Sequence, residues 1–193
     1  MSSRLGSSNT LPWNIADVRA AYLQSRLGLH DRPETYPDLA ARVLAGGAED
    51  PGIAYLAGLS AHDEHWRIVD ALTEIAERHD WVRENVEADL LSLADLWIRQ
   101  ADSGKLDVLD MAKRIADDLS RHIAISHFPR FLPLIGAYWS WEEGWKSEPI
   151  VREELADIAR DLGRRSEPAF EVGEGETRAL PGRRASEQPE RQG

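Results

Sequence analysis

From Asn14 to Gly163 the apolar residues of this chain recur at steps of three and four, the period of a helix with one buried face. The clearest run is Val82, Val86, Leu90, Leu93 and Trp97, at steps of four, four, three and four, with Arg83, Glu87 and Asp95 on the opposite face. A first helix follows Asn14, a good N-cap, and uses Ile15, Val18 and Tyr22 before Gly28 closes it. A second starts at Pro37 and ends at Gly46-Gly47. A third starts at Asp50-Pro51 and ends near Gly58. Ser60, three residues before Asp63, reads as a capping-box start for a helix burying Trp66, Val69, Leu72, Ile75 and Ala76. The Arg78-His79-Asp80 stretch is either a turn or part of one long helix running into the Val82 stripe. Asp107 caps a helix using Leu109, Met111, Ala112, Ile115 and Leu119. Ser147 caps a last one using Ile150, Val151, Leu155, Ile158, Ala159 and Leu162. No alternation long enough for a strand occurs, and no internal repeat or Gly-rich phosphate loop.

The pattern predicts a single all-α domain over residues 13–163, a compact bundle of six to eight helices. Val86, Leu90, Leu93, Trp97, Ile115, Leu132, Ile135, Leu155 and Ile158 are expected in its core. Residues 1–12 are rich in Ser, Gly and Asn, and residues 164–193 in Arg, Glu, Pro and Gly. Both read as disordered segments, too poor in apolar groups to offset about 1–2 kcal/mol of backbone ordering entropy per residue.

One segment breaks the amphipathic rule. From His127 to Trp145 the sequence is apolar almost all the way round a helix and holds Trp139, Trp141 and Trp145, three of the seven tryptophans. Leu134, Tyr138, Trp141 and Trp145 form one stripe. Phe128, Leu132, Ile135 and Trp139 form its neighbour, and Gly136 and Ser140 leave a narrow face that another helix could approach closely. Such a helix lies in the middle of a core or under a partner. In the second case Trp141 and Trp145, with Glu142 and Glu143, make an aromatic and acidic anchor for a basic protein.

Charge supports that direction. The net charge is −11, and residues 61–163 alone carry twelve Lys/Arg against twenty-two Asp/Glu. A field of that sign repels nucleic-acid backbones and speeds encounter with basic proteins. With no cysteine, disulfides and thiolate chemistry are excluded. No apolar run is long enough to span a membrane and the N-terminus lacks a signal-peptide core, so the expected compartment is the cytoplasm.

Catalytic motifs are sparse. His62-Asp63-Glu64-His65 lacks the spacing of a zinc-protease motif and suits a helix N-terminus. His122 and His127 flank a turn, no Gly-x-Ser-x-Gly elbow occurs, and no Glu-x-x-His pair is present for a di-iron site. No residue is therefore assigned a catalytic, cofactor-binding or metal-binding role. The leading expectation is a non-catalytic protein-binding module, accessory or immunity- or antitoxin-like. The alternative is a metal-assisted hydrolase built on His62, His65 or His122 with nearby carboxylates.

The order of short motifs also matters. It runs Leu56-Ala57-Gly58-Leu59, Leu96-Trp97-Ile98, Gly104-Lys105-Leu106-Asp107, Ala112 with Ile115, then Pro133-Leu134-Ile135-Gly136. Over roughly residues 37–163 this resembles a family of small, uncharacterised helical proteins common in actinobacteria. The resemblance implies an all-α fold and supplies no site residues. The Trp-rich run Tyr138 to Trp145 departs from the family pattern.

Overall fold

The structure, a computed structural model, describes residues 12–30, 32–122 and 127–165. Among them there are eight helices and no strand: α1 (Ile15–Leu27), α2 (Tyr36–Ala45), α3 (Pro51–Ala57), α4 (His65–Arg78), α5 (Val86–Asp102), α6 (from Val108), α7 (Leu132–Glu142) and α8 (Glu148–Arg165). The all-α bundle expected from the periodicity is what forms. The expected disordered segments lie almost wholly outside the described residues. Where they do overlap, at Arg164 and Arg165, the chain is helical, because α8 runs through Gly163 instead of ending there.

Local chemistry sets most helix ends. Asn14 caps α1 in a full capping box, accepting from the Ala16 amide at 2.9 Å while Asp17 accepts from the Asn14 amide at 2.9 Å. Gly28, at φ 66°, closes α1 in the left-handed conformation. The Asp50 carboxylate takes the Gly52 and Ile53 amides at 2.7 and 2.9 Å to start α3. The ambiguous Arg78-His79-Asp80 stretch is a break. Asp80 sits at φ 55° and the Trp81 amide turns back to the Ala76 carbonyl at 2.8 Å. Asn85 then caps α5, accepting from the Ala88 amide at 3.0 Å. Val82 therefore lies in a loop, and Val86, in the first turn, is 54% exposed rather than in the core.

Two other starts differ from expectation. Ser60 and Asp63 do bond, the Ser60 amide donating to Asp63 at 2.6 Å, but they close an isolated turn and α4 begins only at His65. The buried face of α4 is Ile68, Ala71, Leu72, Ile75 and Ala76. Trp66 is left 60% exposed, its indole N–H donating to Glu64 at 2.6 Å. The helix from Val108 to Arg114 continues through a π-helical turn, Ile115–Leu119, and ends in one more turn, Ser120–His122.

The core lies where α5 meets α1 and α8, and where α6 and α7 close over α8. Leu90, Leu93, Trp97, Ile115, Ile135 and Leu155 are buried in it as expected, with Phe128, Phe131, Met111 and Leu134. Leu132 is 41% exposed and Ile158 only half-buried. A second layer, α2, α3 and α4, packs on α1. There α3 and α4 approach so closely that a Cβ on Gly52 would meet Ile75 at 2.9 Å. Each layer has a polar tie of its own. Asp17 and Lys105, both side chains 4% exposed, pair at 2.6 Å and bind α1 to the end of α5; Gln100 adds a hydrogen bond to Asp17 at 3.1 Å. Asp50 receives Arg78 at 3.1 Å and His79 at 2.9 Å, tying the start of α3 to the end of α4.

Candidate functional site: the tryptophan corner of α7 and α8

The apolar helix proves two-sided. Leu134, Ile135, Ala137 and Tyr138 point into the core. Leu132, Pro133, Gly136 and Trp139 face outward, and an added Cβ on Gly136 would meet nothing within 4 Å. The two stripes read from the sequence are thus re-sorted. Leu132, expected in the core with Ile135, lies on the open side, as does Trp139 of the same stripe. No neighbouring helix of the described chain approaches the Gly136 and Ser140 face.

After Glu142 the chain turns sharply. Glu143 caps α7, Gly144 adopts φ 76°, and the Trp145 and Lys146 amides both bond back to the Ser140 carbonyl, at 2.9 and 3.1 Å. Only glycine takes this left-handed step without steric cost. The turn aims Trp145 outward, and it is 77% exposed, the most exposed large apolar side chain among the described residues. Trp139, one helical turn before the end of α7, is 45% exposed. Across the turn, Ile150 in the first turn of α8 is 58% exposed, although its spacing pointed inward.

Trp141 behaves differently. It is half-buried, packed on the core beside Tyr138 with ring centroids 5.9 Å apart. Its neighbour Glu142 is exposed and accepts the Tyr138 hydroxyl at 2.9 Å. Burial and the adjacent Glu142 charge together push the Tyr138 phenol well above its usual range, so it serves as a fixed donor that orients Glu142. Of the four residues expected to form the anchor, Glu142, Glu143 and Trp145 lie at the surface, while Trp141 acts from below as their support.

The corner is acidic. Between Trp141 and Glu154 the sequence holds five glutamates against Lys146 and Arg152. Both cations are engaged: Lys146 with Glu154 at 2.6 Å, Arg152 with Asp107 at 2.6 Å and Glu148 at 2.7 Å. Glu143 and Glu153 are exposed and make no ion pair among the described residues. Exposed apolar side chains and unpaired glutamates thus occur together along this short stretch of chain.

The histidines do not converge. His62, His65 and His122 are exposed, and their rings have no polar partner among the described residues. His30, His79 and His127 each meet one carboxylate, Asp118, Asp50 and Glu87, at 2.9, 2.9 and 3.2 Å, in three separate places. Among the described residues no group of three His, Asp or Glu side chains is placed to hold a metal ion.

No known protein family, no curated protein and no solved structure matches this chain. The short motifs singled out in the sequence do structural work. Gly58 closes α3, Gly104 turns the chain at φ 72° after α5, and Asp107 caps α6. Among the described residues no helix is long and apolar enough to cross a membrane.

Proposed function

We propose that this is a non-catalytic acidic helical protein of the cytoplasm that works by binding a basic protein through the corner where α7 meets α8. An accessory or immunity-type role, in which it occludes a basic toxin, is the concrete version. The observation that carries the reading is Trp145, held 77% exposed on a well-defined turn with Trp139 and Ile150 near the same end of the α7–α8 pair. Leaving an indole in water forgoes burial of about 150–250 Å² of surface. Tryptophans of this kind dominate measured interface energies, and truncating one at an interface centre costs about 2 kcal/mol or more. Glu143 and Glu153 select for positive charge around that contact and disfavour acidic competitors.

The test is affinity capture from the source organism at low salt. It compares the unaltered chain, a Trp145→Ala/Glu143→Gln double variant, and Trp66→Ala, which removes an exposed indole elsewhere. One dominant basic protein, captured by the unaltered chain and by Trp66→Ala and lost by the double variant, is the expected outcome. Equal recovery of that protein by all three would overturn the proposal.

A further inference from the structure

In a molecule of net charge −11, one cleft of about 830 Å³ is lined by arginines. Arg19 reaches it from α1, Arg83 from the α4–α5 connection, Arg99 from α5, Arg130 from the turn before α7 and Arg165 from the end of α8. Two carboxylates, Asp80 and Asp95, share the lining. They do not balance it. Asp95 is occupied by Arg130 at 2.8 Å, and Arg165 pairs with Asp161, also at 2.8 Å. Among the described residues Arg19, Arg83 and Arg99 have no carboxylate within 4 Å. The buried acid Asp89 pairs with Arg26 at 3.3 Å, and its charge also reaches Arg83 and Arg19 without an ion pair to either.

Arg19 is the most exposed to this imbalance electrically and the least exposed to water. Its Nε is buried with no hydrogen-bond partner. Burial, followed by the neighbouring charges of Arg83 and Arg99, pulls its guanidinium below the usual arginine range, and the nearby Asp89 charge only partly offsets them. Like charges crowded in a partly dry cleft are unfavourable unless an anion joins them. The rest of the lining includes Ser92 and the apolar Ile15, Ala16 and Leu96, with a wall formed by Trp81, whose ring stacks on His79 at 5.0 Å and 19°.

We propose that this cleft binds a small phosphorylated organic molecule, with its phosphate oxygens on Arg19, Arg83 and Arg99 and its apolar or ring portion against Trp81 and Leu96. Guanidinium groups match phosphate oxygens in pairs, which is why arginine clusters recognise such dianions. The volume falls within the roughly 300–1,000 Å³ of small-molecule sites. An extended nucleic acid does not fit the charge map. Outside the cleft acids outnumber bases, and beyond about 8 Å, where screening takes over, that acidic surface rejects a long polyanion. The cleft shares no residue with the Trp145 corner, and the proposal stands or falls separately from partner binding.

Titration calorimetry and thermal unfolding of the full chain test it. The probes are ATP and inorganic pyrophosphate, with sodium chloride at matched ionic strength and a ten-residue polyglutamate as comparisons. Arg83→Gln/Arg99→Gln removes two exposed, unpaired cations without touching the core, and Arg67→Gln removes a cation outside the cleft. The expected result is saturable binding of ATP and pyrophosphate with a raised Tm, weakened at least tenfold in the double variant and unchanged in Arg67→Gln. The proposal is overturned by no saturable binding, by a Tm rise that chloride reproduces, by full binding in the double variant, or by polyglutamate binding more tightly than either phosphate compound.

Discussion

Single residues hold this fold together at a few buried polar contacts, and these give the sharpest stability predictions. Asp17 and Lys105 are almost fully buried as an ion pair, with the Asn14 amide and Gln100 satisfying the remaining aspartate sites. Removing one partner strands the other charge in the interior, which costs about 3–5 kcal/mol, whereas replacing both by apolar groups costs far less. Asp17→Ala is therefore expected to lose about 3 kcal/mol in urea unfolding, and Asp17→Leu/Lys105→Met to recover most of it. A small loss from the single change would show that the pair carries little. Asp50 gives a pH signature. Burial alone would raise its pKa, but the Ile53 amide, His79 and the Gly52 amide outweigh that and hold it below the usual carboxylate range. A depressed folded-state pKa means stability that is fully present above the unfolded value, about 3.9, and lost as pH falls through the folded value. Between about pH 5 and 2 the unaltered chain should lose urea stability more steeply than Asp50→Asn. Parallel curves would contradict the assignment.

At the scale of elements, the sequence carried helix existence well and helix faces less well. Capping residues were legible because they act locally: Asn14, Asp50 and Asp107 each accept the amides expected of them. The stripe from Val82 was read one turn too far because Asn85, a second cap, starts α5 inside it. Trp66 was misplaced because it and Val69 fit the same three-and-four spacing as Leu72 and Ala76, while packing selected the face of Ile68, Ala71, Leu72 and Ile75. For α7 the sequence left two readings, fully packed or covered by a partner, since a helix without polar residues has no period to read. Its outward side, with Leu132, Gly136 and Trp139, became visible only in three dimensions. That side yields a prediction. A Cβ at Gly136 meets no atom within 4 Å, so Gly136→Ala should gain roughly 0.5–1 kcal/mol from helix propensity. Destabilisation on thermal unfolding would mean that another part of the protein covers this face.

Over the whole molecule, charge and shape divide into two surfaces that composition alone did not separate. The overall acidity was legible; of the residues proposed as an anchor, Glu142, Glu143 and Trp145 prove exposed, while the half-burial of Trp141 beside Tyr138 gave no signal in the sequence. The arginine cleft was not legible, because Arg19, Arg83, Arg99, Arg130 and Arg165 are scattered over nearly 150 residues and only the packing of α1, α5 and the chain segments around them brings them together. The acidic surface predicts that association with a basic partner slows with ionic strength. Raising salt from about 0.05 to 0.5 M should cut the association rate at least tenfold while changing dissociation less, measurable by stopped-flow fluorescence.

The central claim is that Trp145 and its neighbours are buried by a protein partner. Hydroxyl-radical footprinting of the captured complex, read residue by residue against the free chain, tests it most directly. The account predicts strong protection of Trp145, Trp139 and Ile150 with Trp66 unchanged. Protection of Trp66 with Trp145 as reactive as in the free chain would contradict it.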